Sequence, residues 1–146
     1  MRSHGFTLPE MLIALTVVGT LAALGISGFV GLRESAALQV STRVIRHQLT
    51  LARRAAVNGR QTVRFRNTSG QLVLETLTGT VLAATSLTGV DPLPVDSVVL
   101  RPASLRFNAR GQAAPGSVYL FRGNRSVRIV CNFLGRIRTE PVRRNP

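Results

Sequence analysis

Residues 6–32 read FTLPEMLIALTVVGTLAALGISGFVGL. One charge, Glu10, stands in this stretch, and Met11–Leu32 carries none over 22 residues. An apolar helix of roughly 20 residues crosses the hydrocarbon core of a bilayer, so the stretch predicts a membrane span and excludes an ordinary soluble enzyme. The 114 residues from 33 to 146 are enough for one small domain. The net charge is +13, all 19 basic residues are Arg, and only 6 residues are acidic. A single Cys excludes an intrachain disulfide framework and a cysteine zinc site.

The residues before the span, Met-Arg-Ser-His-Gly, are too few for the n-region and h-region of a secretory signal peptide. Arg2 would hold that end in the cytoplasm, while Arg33, Arg43 and Arg46 after the span pull the other way, so charge bias alone does not orient the chain. Glu10 is costly at the start of an apolar helix and calls for a partner. A plainer role is also open to it: an interfacial carboxylate favoured by the dipole of the helix N-terminus. Pro9 fits the first helical turn, where no amide donor is lost.

Gly5-Phe6-Thr7-Leu8-Pro9-Glu10, behind a short leader with Arg2, resembles the class III signal of type IV pilins and pseudopilins. The resemblance implies cleavage after Gly5 by a prepilin peptidase and N-methylation of Phe6. It implies that Glu10 neutralises the terminal amine of a neighbouring subunit during assembly, a buried carboxylate meeting a buried cation. It also implies residence in the bacterial inner membrane, single-pass, with residues 33–146 in the periplasm until assembly into a filament.

Charge divides the chain. Residues 33–66 hold eight Arg and Glu34, residues 67–100 hold three acids and no base, and residues 101–146 hold ten Arg and Glu140. Ala37, Leu38, Val44, Ile45, Leu49, Ala52, Ala55 and Ala56 recur at helical spacing, with Arg43, Arg46, Arg53 and Arg54 on the opposite face. The helix is expected to run from the span to about Val57 and to stop at Asn58-Gly59. Beyond Gly59 the period changes to two, in short runs at 63–66, 71–75, 81–84, 97–100, 105–107, 118–121 and 127–133, separated by glycines. The expectation is an α+β, pilin-like fold: a long N-terminal helix packed on small antiparallel β-sheets. Its parts are a leader (1–5), a transmembrane half-helix (6–32), an amphipathic half-helix (33–58) and a β-rich domain with a basic tail (59–146).

The C-terminal half, with Leu105–Gly111, Ser117–Phe121, Ser126–Phe133 and Gly135-Arg136-Ile137-Arg138, is similar to the FimT/GspH family of minor pilins and type II secretion pseudopilins. Gly135-Arg136-Ile137-Arg138 resembles the G-R-x-R motif of FimT minor pilins that bind DNA in natural transformation. The resemblance assigns DNA contact to Arg136 and Arg138, and less directly to Arg143 and Arg144.

The residues themselves point the same way. Ten Arg against one acid is too lopsided for a mixed solvated surface. On a 127–133 strand, Val127, Ile129, Cys131 and Phe133 face one way and Arg128 the other. Arg136 and Arg138 share a face about 7 Å apart along a strand, close to the spacing of successive phosphates. With Phe65, Phe107 and Phe133 assigned inward, few rings remain for base stacking, so the expected ligand is double-stranded DNA held by its backbone without base readout. Acidic lipid heads, other pilins and envelope polyanions would suit the same arginines.

No catalytic site, cofactor or metal site is expected. His47 has no carboxylate near it in sequence, and Asp91 and Asp96 flank prolines as turn formers. Cys131 alternates with core residues. The main rival within the same architecture is a GspH-like minor pseudopilin with a structural role, which would need Glu10 but not the arginine cluster.

Overall fold

The computed structural model describes residues 7–87 and 93–144, the side chains of 24–28 and 30 excepted. Gly5 and Phe6 lie outside the described residues, as does Asp91. Among the described residues one helix, α1 (Leu8–Asn58), is followed by nine strands: β1 (Val63–Thr68), β2 (Gln71–Thr76), β3 (Val81–Ser86), β4 (Ser97–Arg101), β5 (Ser104–Phe107), β6 (Gly116–Arg122), β7 (Arg125–Cys131), β8 (Ile137–Thr139) and β9 (Arg143–Arg144). The expected α+β architecture is observed. The chain divides into two units, residues 1–33 and 34–146.

In the first unit, Thr7 caps α1. The Glu10 carboxylate accepts hydrogen bonds from the Thr7 backbone N–H at 3.0 Å and from its hydroxyl at 2.9 Å. Glu10 thereby satisfies the Thr7 N–H, the Glu-to-Ncap half of a Thr-x-x-Glu capping box. Among the described residues no helix is long and apolar enough to cross a membrane. The stretch 11–32, which carries that expectation, includes residues 24–28 and 30, whose side chains are not described.

In the second unit, Leu38, Ile45, Leu49, Ala52 and Ala56 of α1 are fully buried, and Val44 and Ala55 pack beside them. The helix ends as its sequence predicts: the Gly59 amide donates to Ala55 O at 2.9 Å, and Arg60 takes the left-handed conformation. Two antiparallel sheets share one core with this face. Sheet 1 has the order β3-β2-β1-β5, sheet 2 the order β4-β6-β7-β8, and β9 pairs with the start of β7. Val63, Phe65, Leu72, Leu74, Leu105 and Phe107 point inward from sheet 1. Val98, Leu100, Val118, Leu120, Val127, Ile129 and Cys131 point inward from sheet 2.

One inward assignment fails. The strand expected over 127–133 ends at Cys131, and Phe133 is 60% exposed. The cause is the turn that follows. Gly135 N donates to Asn132 O at 2.9 Å, and the Asn132 side chain accepts from Arg136 N at 2.9 Å. This closes a loop over 132–136 and breaks the two-residue alternation before Phe133. The chain beyond Glu140 also returns to the sheet, as β9, rather than leaving it as a tail.

Candidate nucleic-acid interface

Alternation and register fix which residues share the outer face of sheet 2. Because Val127, Ile129 and Cys131 are buried, Arg128 and Val130 point outward. Arg128 is opposite Tyr119, Val130 is opposite Arg138, and Ser126 is opposite Arg143. Asn132 and Arg136 face each other across the mouth of the β7–β8 hairpin, with Asn132 N donating to Arg136 O at 3.1 Å. Arg128, Arg136, Arg138 and Arg143 therefore lie on one face. Arg144 does not. It is opposite Arg125, whose guanidinium turns to α1, 3.7 Å from Glu34 and hydrogen-bonded to Ser35.

The four outward arginines differ in their surroundings. Arg136 and Arg138 are exposed, and among the described residues no carboxylate pairs with either. Arg128 is half-covered: its Nε donates to Ser117 Oγ at 3.1 Å, its Cζ sits 5.5 Å from the Tyr119 ring centre, and its Nη1 is 3.4 Å from Glu140. Arg143 approaches the same carboxylate at 3.6 Å. Exposed ion pairs of this kind contribute about 0–1 kcal/mol, so a phosphate can replace Glu140 as partner at little cost. Glu140 and Tyr119, which order Arg128, were not legible as site residues. Tyr119's sequence signal was an outward position in a strand, and Glu140 lies just past the end of β8.

The motif glycine has a packing role. Gly135 has φ +72°, and a Cβ there would lie 2.2 Å from Gly111 O and 3.1 Å from Arg53 Nε. The turns at 108–112 and 132–136 thus meet backbone to backbone. Arg53, assigned from sequence to the solvated helix face, reaches over to donate its Nε to Gly111 O at 3.1 Å. Together they fix the hairpin that carries Arg136 and Arg138. Beneath it Cys131 is buried, and burial pushes its thiol pKa up. His47 is exposed, and Asp96 accepts from the Gly123 amide at 2.7 Å as a turn former.

A capped apolar N-terminal helix and a two-sheet domain define a pilin-type filament subunit. The chain belongs to the family described as type II transport protein GspH, which matches residues 41–135. The prokaryotic N-terminal methylation motif matches residues 1–26. The chain is similar to the type IV minor pilin FimU of Pseudomonas aeruginosa, with 20% identity and a TM-score of 0.56 over 71% of this chain and 93% of that one. It is also similar to the minor pseudopilin EpsH from the type 2 secretion system of Vibrio cholerae, with 14% identity and a TM-score of 0.50 over 70% of this chain and 95% of that one. No curated protein matches the chain. The family makes it a minor pilin or pseudopilin, a structural rather than enzymatic subunit that associates with other pilins, and the methylation motif fits processing by a prepilin peptidase.

Proposed function

We propose that the chain is a minor pilin that binds double-stranded DNA through the outer face of sheet 2, for DNA uptake in natural transformation. One observation carries the reading: Arg136 and Arg138 stand exposed on the face that also holds Arg128 and Arg143, with Glu140 as the acid among them. Guanidinium groups without carboxylate partners suit phosphate oxygens, and backbone contacts give affinity without sequence readout. Arg144 flanks the face and contributes field rather than a shared grip.

The chain reaches that role as an inner-membrane protein. Residues 6–32 cross the bilayer once, residues 33–146 lie in the periplasm, cleavage follows Gly5 and Phe6 is methylated. Met11, Leu12, Ile13, Leu15, Val18 and Leu21 are all more than half exposed, which suits lipid or the apolar interior of a filament. Glu10 then exchanges its bond to the Thr7 amide for the terminal amine of a neighbouring subunit.

Titration of the full chain in non-ionic detergent with labelled duplexes of unrelated sequence tests the DNA reading. The duplexes bind alike, and Arg136→Gln/Arg138→Gln weakens all of them. A variant that binds as wild type does would remove the assignment. The family description favours a second reading, a structural minor pseudopilin of type II secretion, and absence of DNA binding by the wild type would support it.

A further inference from the structure

We infer that the cleft between Arg106 and Phe133 accepts an unpaired nucleobase from a single-stranded or frayed DNA end. The inference rests on the DNA reading of the neighbouring arginines and adds a ligand class to it.

Phe65 and Phe107 are fully buried, whereas Phe133 is 60% exposed in the same turn that presents Arg136. Its position is fixed by backbone bonds: Phe133 O accepts from Ala113 N at 3.0 Å, and the turn is closed by Gly135 N on Asn132 O. The backbone that carries the ring is therefore fixed beside the cleft. Phe133 lines a cleft of about 280 Å³ together with Thr62, Arg106, Asn108 and Gln112. That volume is just below the roughly 300–1,000 Å³ of small-molecule sites, which suits one planar heterocycle.

The polar groups around the cleft match a base and its phosphate. Arg106 is exposed, and among the described residues no carboxylate pairs with it. Gln112 Oε1 accepts from Asn108 Nδ2 at 3.1 Å, and Asn108 Oδ1 accepts from the Arg110 and Gln112 amides at 3.0 Å. Asn108 is thereby held in place, and the Gln112 amide group keeps its NH2 to donate to a base edge. Among the described residues no carboxylate lines the cleft, which disfavours cationic ligands. An aromatic face, an amide donor and a guanidinium at one cleft are the groups that hold unpaired bases in single-strand binders. Inside a duplex both faces of a base are stacked, so the cleft serves ends and single strands, while the outer face of sheet 2 serves the duplex backbone.

The test uses the full chain in detergent with three probes: a blunt duplex, the same duplex with a single-stranded overhang, and the single strand. Phe133→Ala, Phe133→Tyr and Arg136→Gln/Arg138→Gln are compared with wild type. Loss of one stacked base weakens binding at least about fivefold. Phe133→Ala is expected to show this loss on the overhang and single strand, with blunt-duplex affinity changed by less than about twofold. Phe133→Tyr, which keeps the ring, is expected to retain wild-type binding. Unchanged single-strand binding by Phe133→Ala, or an equal loss on the blunt duplex, would overturn the inference. The arginine variant reports separately: its blunt-duplex affinity tests the outer face, and the Phe133 comparison tests the cleft.

Discussion

Gly135→Ala is predicted to cost about 2.5–5 kcal/mol and to disorder the turn that presents Arg136, summing a left-handed backbone penalty of about 1–2 kcal/mol and a lost charged hydrogen bond of about 1.5–3 kcal/mol. The backbone there has φ +72°, which a residue with a Cβ adopts only under strain. The added methyl would also lie 2.2 Å from Gly111 O, a contact with backbone that no side-chain rotation relieves. The turns must separate, which breaks the Arg53 Nε bond to Gly111 O. Gly111→Ala is the control. It has a similar φ of +75°, but the nearest atoms its Cβ would meet are on the flexible Arg53 and Val57 side chains, at 3.1 Å, which can shift by a few tenths of an ångström where the Gly111 backbone cannot, so its cost is about 1–2 kcal/mol. Urea unfolding of both variants, followed by circular dichroism, measures the difference. Gly135→Ala unfolding within about 1 kcal/mol of wild type, or no more destabilised than Gly111→Ala, would refute the backbone-contact argument.

Glu140→Gln should strengthen DNA binding, because it frees Arg128 and Arg143 and removes the acid from their face, while stability changes by less than about 1 kcal/mol; titration and thermal melting check both parts. Glu10→Gln keeps an acceptor for the Thr7 amide, so the cap on α1 survives, but it removes the charge. Recovery of the variant in sheared filaments measures assembly, and wild-type incorporation would show that Glu10 serves only the cap. The Cys131 thiol, with its pKa raised by burial, should resist alkylation at mildly alkaline pH until the protein unfolds. Its neutral form favours the folded state, so this contribution is full below the unfolded thiol pKa of about 8.5 and is lost as pH rises toward the higher folded value. Cys131→Ser should flatten that alkaline decline.

Much of the fold was legible because it follows from periodicity. Leu38, Ile45, Leu49, Ala52 and Ala56 repeat at helical spacing and are the buried stripe of α1. Asn58-Gly59 ends the helix, and the two-residue alternation of Val63/Phe65, Leu72/Leu74 and Leu105/Phe107 marks the inner face of sheet 1. Phe133 was misassigned because alternation was carried one step past the strand, although Asn132 and Gly135 bracket a turn whose hydrogen bonds override it. The arginine face was legible in part. Alternation places Arg136 and Arg138 together, but the joining of Arg128 and Arg143 depends on β9 pairing back to β7, a long-range register with no local signal. The same register sets Arg144 on the other face. Glu140 as a shared counterion and Arg53 as a clamp on Gly111 are likewise tertiary facts.

The salt dependence of duplex binding by wild type and Arg136→Gln/Arg138→Gln tests the central claim most directly. Each neutralised phosphate contributes about −0.9 to the slope of log affinity against log salt. If both arginines grip the backbone, the variant's slope is shallower by about 1.8 and its affinity falls most at low salt. Equal slopes for the two proteins would contradict a DNA-binding role for this face.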